Sequence, residues 1–233
     1  MFEWVRNKSE NYLYFTSQIK FMKLLFAFLV LIFFSCKNKV NIPEDFDYGK
    51  IENGVYVNDY FDFEIPVPGE WHVQNREQIE RIRQAGGEMI AEKNKELAEQ
   101  VKASAVNSAI LLAAYKYKLD SAVQGYNPSF SIIVENLGSM SGVSTGREYM
   151  SYVKKIMATS GIEYRPVSEF YSETLGNKKF DVMENIMSVK GFDINQKYYA
   201  VIERNFAFVV IVSSIGNDQK KELVNIIDKI KFN

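Results

Sequence analysis

From residue 169 to residue 213 the sequence reads as strand after strand, and that succession limits the possible folds more than any other feature. Runs at 169–175, 179–189, 197–204 and 206–213 are rich in β-branched and aromatic residues. Gly176-Asn177 separates the first two and Arg204-Asn205 the last two, and each pair suits a tight turn. Strands joined so closely run antiparallel, because a parallel return needs a crossover of about a dozen residues. The run at 206–213 is apolar on both alternations, so Val209 and Ile211 are expected in a strand buried on both faces.

The residues before this block complete an α+β order. Two short β-like runs, 55–58 and 60–66, meet at Asn58-Asp59, and Phe61, Phe63 and Ile65 alternate with Asp62 and Glu64. Pro66-Val67-Pro68-Gly69 stops the second run, and 71–74 resumes in extended form. A long charged helix is expected over about 75–105, opened by the cap pair Asn75 and Gln78 and weakest at Gly86-Gly87. It is either a solvated helix lying on the domain or an arm that binds a partner. Residues 109–117 read as a central strand, and Phe130, Ile132 and Val134 mark another that ends near Leu137. A glycine- and serine-rich loop at 138–144 leads to a second helix, with Thr145 and Glu148 as its capping box. Tyr149, Val153, Ile156 and Met157 make its apolar face. A last helix is expected from Asp218, with Leu223, Ile226, Ile227 and Ile230 aligned. Residues 51–233 are thus expected as a single α+β domain, an antiparallel β-sheet flanked by helices.

The N-terminal segment bears on where the chain goes. Met22-Lys23 precedes an apolar run at 24–34, which spans about 16 Å as a helix, roughly half the bilayer hydrocarbon. A signal-peptide core fits this length better than a spanning helix. Phe33-Phe34-Ser35-Cys36 follows, then polar Lys37-Asn38-Lys39, and this resembles the lipobox of bacterial lipoproteins, with Phe33 in place of the usual leucine. The resemblance implies cleavage before Cys36, lipidation of its thiol, including a palmitate-type chain, and attachment to the membrane through that anchor. No aspartate follows the cysteine, which by the same resemblance implies the outer membrane of the cell envelope. Residues 1–35 then comprise an upstream extension and the signal peptide. Translation is expected to begin at Met22; the alternative is a long, unusual n-region starting at Met1. Residues 36–50, with Pro43, Glu44, Asp45 and Asp47, are expected to form a lipidated tether.

Charge and rare residues remove several functions. The chain of 233 residues has a net charge of −1, and the part after residue 35 holds 24 basic and 27 acidic side chains, which argues against a nucleic-acid partner, since phosphates need a basic face. One cysteine and one histidine allow neither an internal disulfide nor Cys/His zinc ligation, and no cofactor is expected. The three tether acids do not supply the fixed ligands that calcium needs. Gly142-Val143-Ser144-Thr145-Gly146 matches the nucleophile-elbow spacing, but the loop before it is long and His72 precedes the serine instead of following it. Ser144 and Thr145 are read as helix caps, and His72 as an ordinary strand residue.

Tyr56-Val-Asn58, then Tyr60 through Pro66, then Gly69-Glu70-Trp71, together resemble the PsbP-like family. Its members include the extrinsic P protein of photosystem II, a Ran-binding nuclear import factor and many bacterial lipoproteins. The apolar strand at 206–213 and the closing Ile230-Lys231-Phe232 fit the same resemblance. It implies a non-enzymatic protein-binding or assembly-assisting role, with no catalytic residue to carry over. The alternative is a carrier of a small apolar ligand. If the chain is an interaction module, Ser141, Ser144, Thr145 and Arg147, at the start of the second helix, are the candidate binding residues for an anionic group on an envelope protein.

Overall fold

A computed structural model of the chain describes residues 43–233, apart from 105–106, 120–124, 139 and 190. Residues 42–233 form one compact unit. Cys36, the apolar run, the tether up to residue 42 and the question of the start lie outside the described residues.

The chain order is β1 (Lys50–Glu52), β2 (Val55–Asn58), β3 (Phe63–Pro66), β4 (His72–Val73), α1 (Arg76–Ala91), α2 (Lys95–Ser104), β5 (Ser108–Tyr115) and β6 (Ser129–Asn136). It continues with α3 (Gly146–Thr159), β7 (Glu163–Pro166), β8 (Tyr171–Leu175), β9 (Lys178–Val189), β10 (Phe192–Glu203), β11 (Phe206–Ser214), α4 (Gly216–Ile227) and β12 (Lys231–Phe232). The strands form two antiparallel sheets. The smaller runs β1-β2-β3-β12, and the larger β4-β5-β6-β11-β10-β9-β7, with β8 also paired to β9. The mixed α+β architecture expected from the sequence is therefore present, with two stacked sheets where one was anticipated.

The tight turns are where the sequence placed them. Arg204 and Asn205 both have positive φ (49° and 65°), as a primed hairpin turn between β10 and β11 requires. Gly176 (φ 58°) turns β8 into β9 and is needed for a second reason: a Cβ there would stand 2.5 Å from the carbonyl of Ile230. The Asn177 amide donates to the Phe232 carbonyl at 2.9 Å, fastening the small sheet to that turn.

Alternation along the central strands separates two cores. Phe206, Phe208, Val210 and Val212 point inward with Phe130, Ile132, Val134, Phe180, Val182 and Tyr199. Facing them are Tyr56, Phe61, Phe63 and Ile65 of the small sheet region and Leu223, Ile226 and Ile227 of α4. Phe208 sits among Phe61, Phe63, Phe180 and Phe232, with ring centroids 5.1–6.2 Å apart. The outer positions Ala207 and Val209 pack with Met183, Tyr198 and Ala200 beneath Tyr149 and Met150 of α3. Val209 is buried as expected, whereas Ile211 is only half-buried.

Four expectations need correction. The helical stretch breaks at 92–94, not at Gly86-Gly87: both glycines remain inside α1, while Asn94 accepts from the Leu97 amide and starts α2. Its side chain also donates to the Thr159 carbonyl at 2.9 Å, so a tertiary contact at the end of α3 selects the break. The last helix ends at Ile227, and Lys231–Phe232 pairs with Phe63 and Glu64 as β12. The strand β7 was not foreseen; its four residues acquire their form by pairing with the far end of β9. The tether does not reach residue 50. Phe46 packs on Tyr60, Phe61 and Phe206, Asn58 donates to the Asp47 carbonyl, and Lys50–Glu52 is the edge strand β1.

Candidate docking groove

β4 pairs with β5 over two residues only, and the Gln74 amide adds one further bond to the Ala113 carbonyl at 2.9 Å. The chain then turns away at Asn75, where the reciprocal capping box with Gln78 launches α1. Among the described residues no strand continues that side of β5 from Leu112 back to Ser108. The edge of β5, the edge strand β1 and the first turns of α1 thus enclose an open groove of about 450 Å³. Val73, Ile79, Ile110 and Leu112 give it apolar walls, and Ile51, 45% exposed, stands at its lip.

Gln74 is the unusual residue in this groove. It is 95% buried, and its Nε2 donates to the His72 carbonyl at 2.5 Å. Its Oε1 is buried with no hydrogen-bond partner. An orphaned acceptor of this kind costs about 1–3 kcal/mol. The charged lining is mainly basic: Lys50, Arg76 and Arg83 against Glu80. Arg76 stacks over the Tyr48 ring at 4.0 Å. Arg83 pairs with Glu80 at 3.1 Å and Lys50 with Glu52 at 2.9 Å, all four side chains well exposed. Exposed pairs hold by less than about 1 kcal/mol and exchange readily for a partner's carboxylate.

The loop proposed from the sequence has a different character. Ser144, Thr145 and Arg147 do come together at the start of α3, and Ser141 lies exposed on the preceding turn. The helix end is, however, already occupied by the chain's own carboxylates. Glu148 accepts from the Ser144 amide, the Ser144 hydroxyl and the Thr145 amide at 2.8–3.0 Å, and these bonds hold its carboxyl below the usual glutamate range. Asp181, reaching up from β9, accepts from the Arg147 amide at 2.9 Å, and the Arg147 guanidinium turns back to the Phe170 carbonyl. The Ser144 and Thr145 amides, the Ser144 hydroxyl and the Arg147 amide are thus spent internally, while the Arg147 guanidinium stays half-exposed. Gly146 completes the alternative account of the Gly-x-Ser-x-Gly spacing: a Cβ there would stand 2.1 Å from the Ala200 carbonyl, so glycine is what lets α3 lie on β10.

Two residues set aside as sites from the sequence are parts of the fold. His72 is a half-buried β4 residue opposite Tyr115. The Asp47 carboxylate accepts from the Gly49 amide at 2.9 Å and the Asp59 amide at 3.3 Å, tying down its own turn.

No family model matches the chain, and no curated protein matches it. Among solved structures it is similar to cyanobacterial PsbP (CyanoP) from Synechocystis, at 11% identity and a TM-score of 0.46, over 79% of this chain and 96% of that one. It is also similar to LpqN, described as involved in cell envelope biogenesis of Mycobacterium tuberculosis, at 12% identity and a TM-score of 0.37, over 73% and 83% of the two chains. The first is a PsbP-like protein, the family that the residues of the opening hairpin resemble.

The sequence reading missed one further cluster. Lys197, on the inner face of β10, bonds both oxygens of Glu173 at 2.7 and 2.8 Å and lies over the rings of Tyr171 and Tyr199. Glu184, its cross-strand neighbour, accepts from the Tyr171 hydroxyl and from Lys220. Burial pushes Glu184 up, but these bonds and the two lysine charges outweigh it and bring the carboxyl below its usual range. Burial, with the Glu173 charge, pushes nearby Asp228 up. Lys197 is visible in the sequence before an apolar run, but its carboxylate partners come from two other strands, β8 and β9.

Proposed function

We propose that the chain is a lipid-anchored, non-enzymatic binding module of the bacterial cell envelope, held through Cys36 at the outer membrane. Its docking site is the groove between β1, β5 and α1, and its partner is an extended segment of an envelope protein that carries an acidic side chain. The edge of β5 that β4 leaves unpaired among the described residues carries this reading, because an incoming strand would continue the line of β4 there. Arg76 and Arg83 suit the acidic side chain, and Ile51 with Ile79 the apolar ones. The sequence supports the anchor, through the short apolar run and the lipobox-like Ser35-Cys36. A carrier of an apolar ligand is less well supported, because the space between the sheets is filled by interlocked rings.

Two measurements test this. Labelled palmitate is expected to enter the native chain and not Cys36→Ser; equal labelling would end the anchor reading. In cross-linking from native envelopes, Ile51→Asp and Arg76→Glu are each expected to lose a partner that the native chain and Arg147→Glu both capture. Loss with Arg147→Glu and retention in the groove variants would return the site to the α3 loop.

A further inference from the structure

A second opening lies on the outer face of the large sheet, and it shares no residue with the groove. Two cross-strand rows form its floor. Tyr115, Ser129, Ser213 and Gln196 are successive neighbours across β5, β6, β11 and β10, and Ala113, Ser131, Ile211 and Tyr198 are the next row. Ser129, Ser131 and Ser213 keep the floor low, and Tyr115, Tyr126 and Tyr198 line it. The resulting trough measures about 510 Å³, within the range of about 300–1,000 Å³ typical of small-molecule sites. α3 seats on Met183, Ala200 and Val209 farther along the strands, and Tyr198 with Ile211 is shared between that packing and the edge of the trough.

The lining is chemically uniform. None of the described side chains that line the trough is ionised at neutral pH, and most carry a hydroxyl or a carboxamide. The Tyr198 hydroxyl donates to Gln196 Oε1 at 2.8 Å, and Gln196 Nε2 reaches Ser213 Oγ at 3.5 Å. Phe192, 41% exposed, adds an aromatic face at the rim. An anion or cation would find no counter-charge among the described residues that line the trough, and an aliphatic ligand would strip water from several hydroxyls without replacing its bonds. A ligand that alternates hydroxyls with C–H faces satisfies both the polar floor and the aromatic walls.

We infer that this trough is a binding site for an uncharged saccharide. The inference stands apart from the anchor and the docking groove, because neither contributes a residue to it. The test uses the full-length mature protein in a sugar-free detergent, titrated with maltotriose, cellotriose and tri-N-acetylchitotriose and followed by saturation-transfer NMR and tyrosine fluorescence. At least one trisaccharide is expected to saturate with a Kd below about 1 mM. Ser131→Trp, which fills the trough, is expected to weaken it at least about tenfold. Tyr198→Phe, which keeps the packing and removes one hydroxyl, is expected to weaken it about fivefold, the size of one neutral hydrogen bond. Absence of saturation by all three sugars, unchanged affinity in both folded variants, or saturable laurate binding that Ser131→Trp removes would each overturn the assignment.

Discussion

The two faces of the large sheet are made from the same strands and are finished in different ways. The inner face meets a second sheet and α4 through interlocked phenylalanine rings, and several of its side chains are wholly inaccessible to solvent. The outer face carries smaller residues, is covered by α3 along one part, and opens into a neutral polar trough along another. Stability is therefore concentrated on one side and surface available for recognition on the other. A binding module benefits from this separation, because residues that meet a ligand need not also hold the core.

The sharpest way to break the comparison is to truncate neighbours on β11 that point to opposite faces. Phe208→Ala is expected to cost about 3–5 kcal/mol in urea unfolding, through lost burial and the cavity left among four rings. Ile211→Ala, half-buried on the outer side, is expected to cost about 1–2 kcal/mol. Equal losses would mean that the outer face contributes as much as the inner one.

Gly146→Ala tests how firmly the outer layer is seated. The added methyl meets the Ala200 carbonyl, a backbone group that cannot swing aside, so a loss of about 1–3 kcal/mol is expected from thermal melts. A neutral result would show that α3 shifts freely on the sheet.

Protonation gives the two faces opposite signs. Glu184, at the rim of the inner core, has its carboxyl lowered on folding, so its stabilisation is present above the ordinary glutamate value and is lost as pH falls through the folded one. Glu184→Gln is expected to lose about 1–2 kcal/mol near pH 7, and the gap to the native chain is expected to close as pH falls through the folded value. Glu135, on the outer face, is raised by burial, against the bond it accepts from the Tyr149 hydroxyl. Its favourable contribution is complete below the ordinary glutamate value and is lost as pH rises through the folded one. Glu135→Gln is therefore expected to equal or exceed the native stability near pH 7 in the same urea series. A loss at pH 7 from both variants would erase the distinction.

The smallest effect belongs to the α3 loop. Arg147→Ala removes an exposed guanidinium and its bond to the Phe170 carbonyl, but leaves the backbone amide on Asp181. A melting shift equivalent to less than about 1 kcal/mol is expected. A larger one would make the loop a structural clasp between α3 and β9.

Local chemistry alone determined much of this protein. The turns at Gly176-Asn177 and Arg204-Asn205, the capping boxes at Asn75 and Thr145, and the alternation of Phe61, Phe63 and Ile65 all act within a few residues, so they are legible without a structure. The hydropathy of residues 24–34 and the position of Cys36 are likewise properties of the chain itself. Features that depend on distant partners were decided only in three dimensions. β7 and β12 are too short to declare themselves and exist by pairing with β9 and β3. The helix breaks at Asn94 because Thr159, far along the chain, accepts its amide. The α3 loop looked free to receive an anion because Asp181, which fills that place, lies 34 residues away from Arg147 in sequence. Neither opening could be read from the sequence either. Each is a space between strands brought side by side, and a space has no residue of its own to mark it.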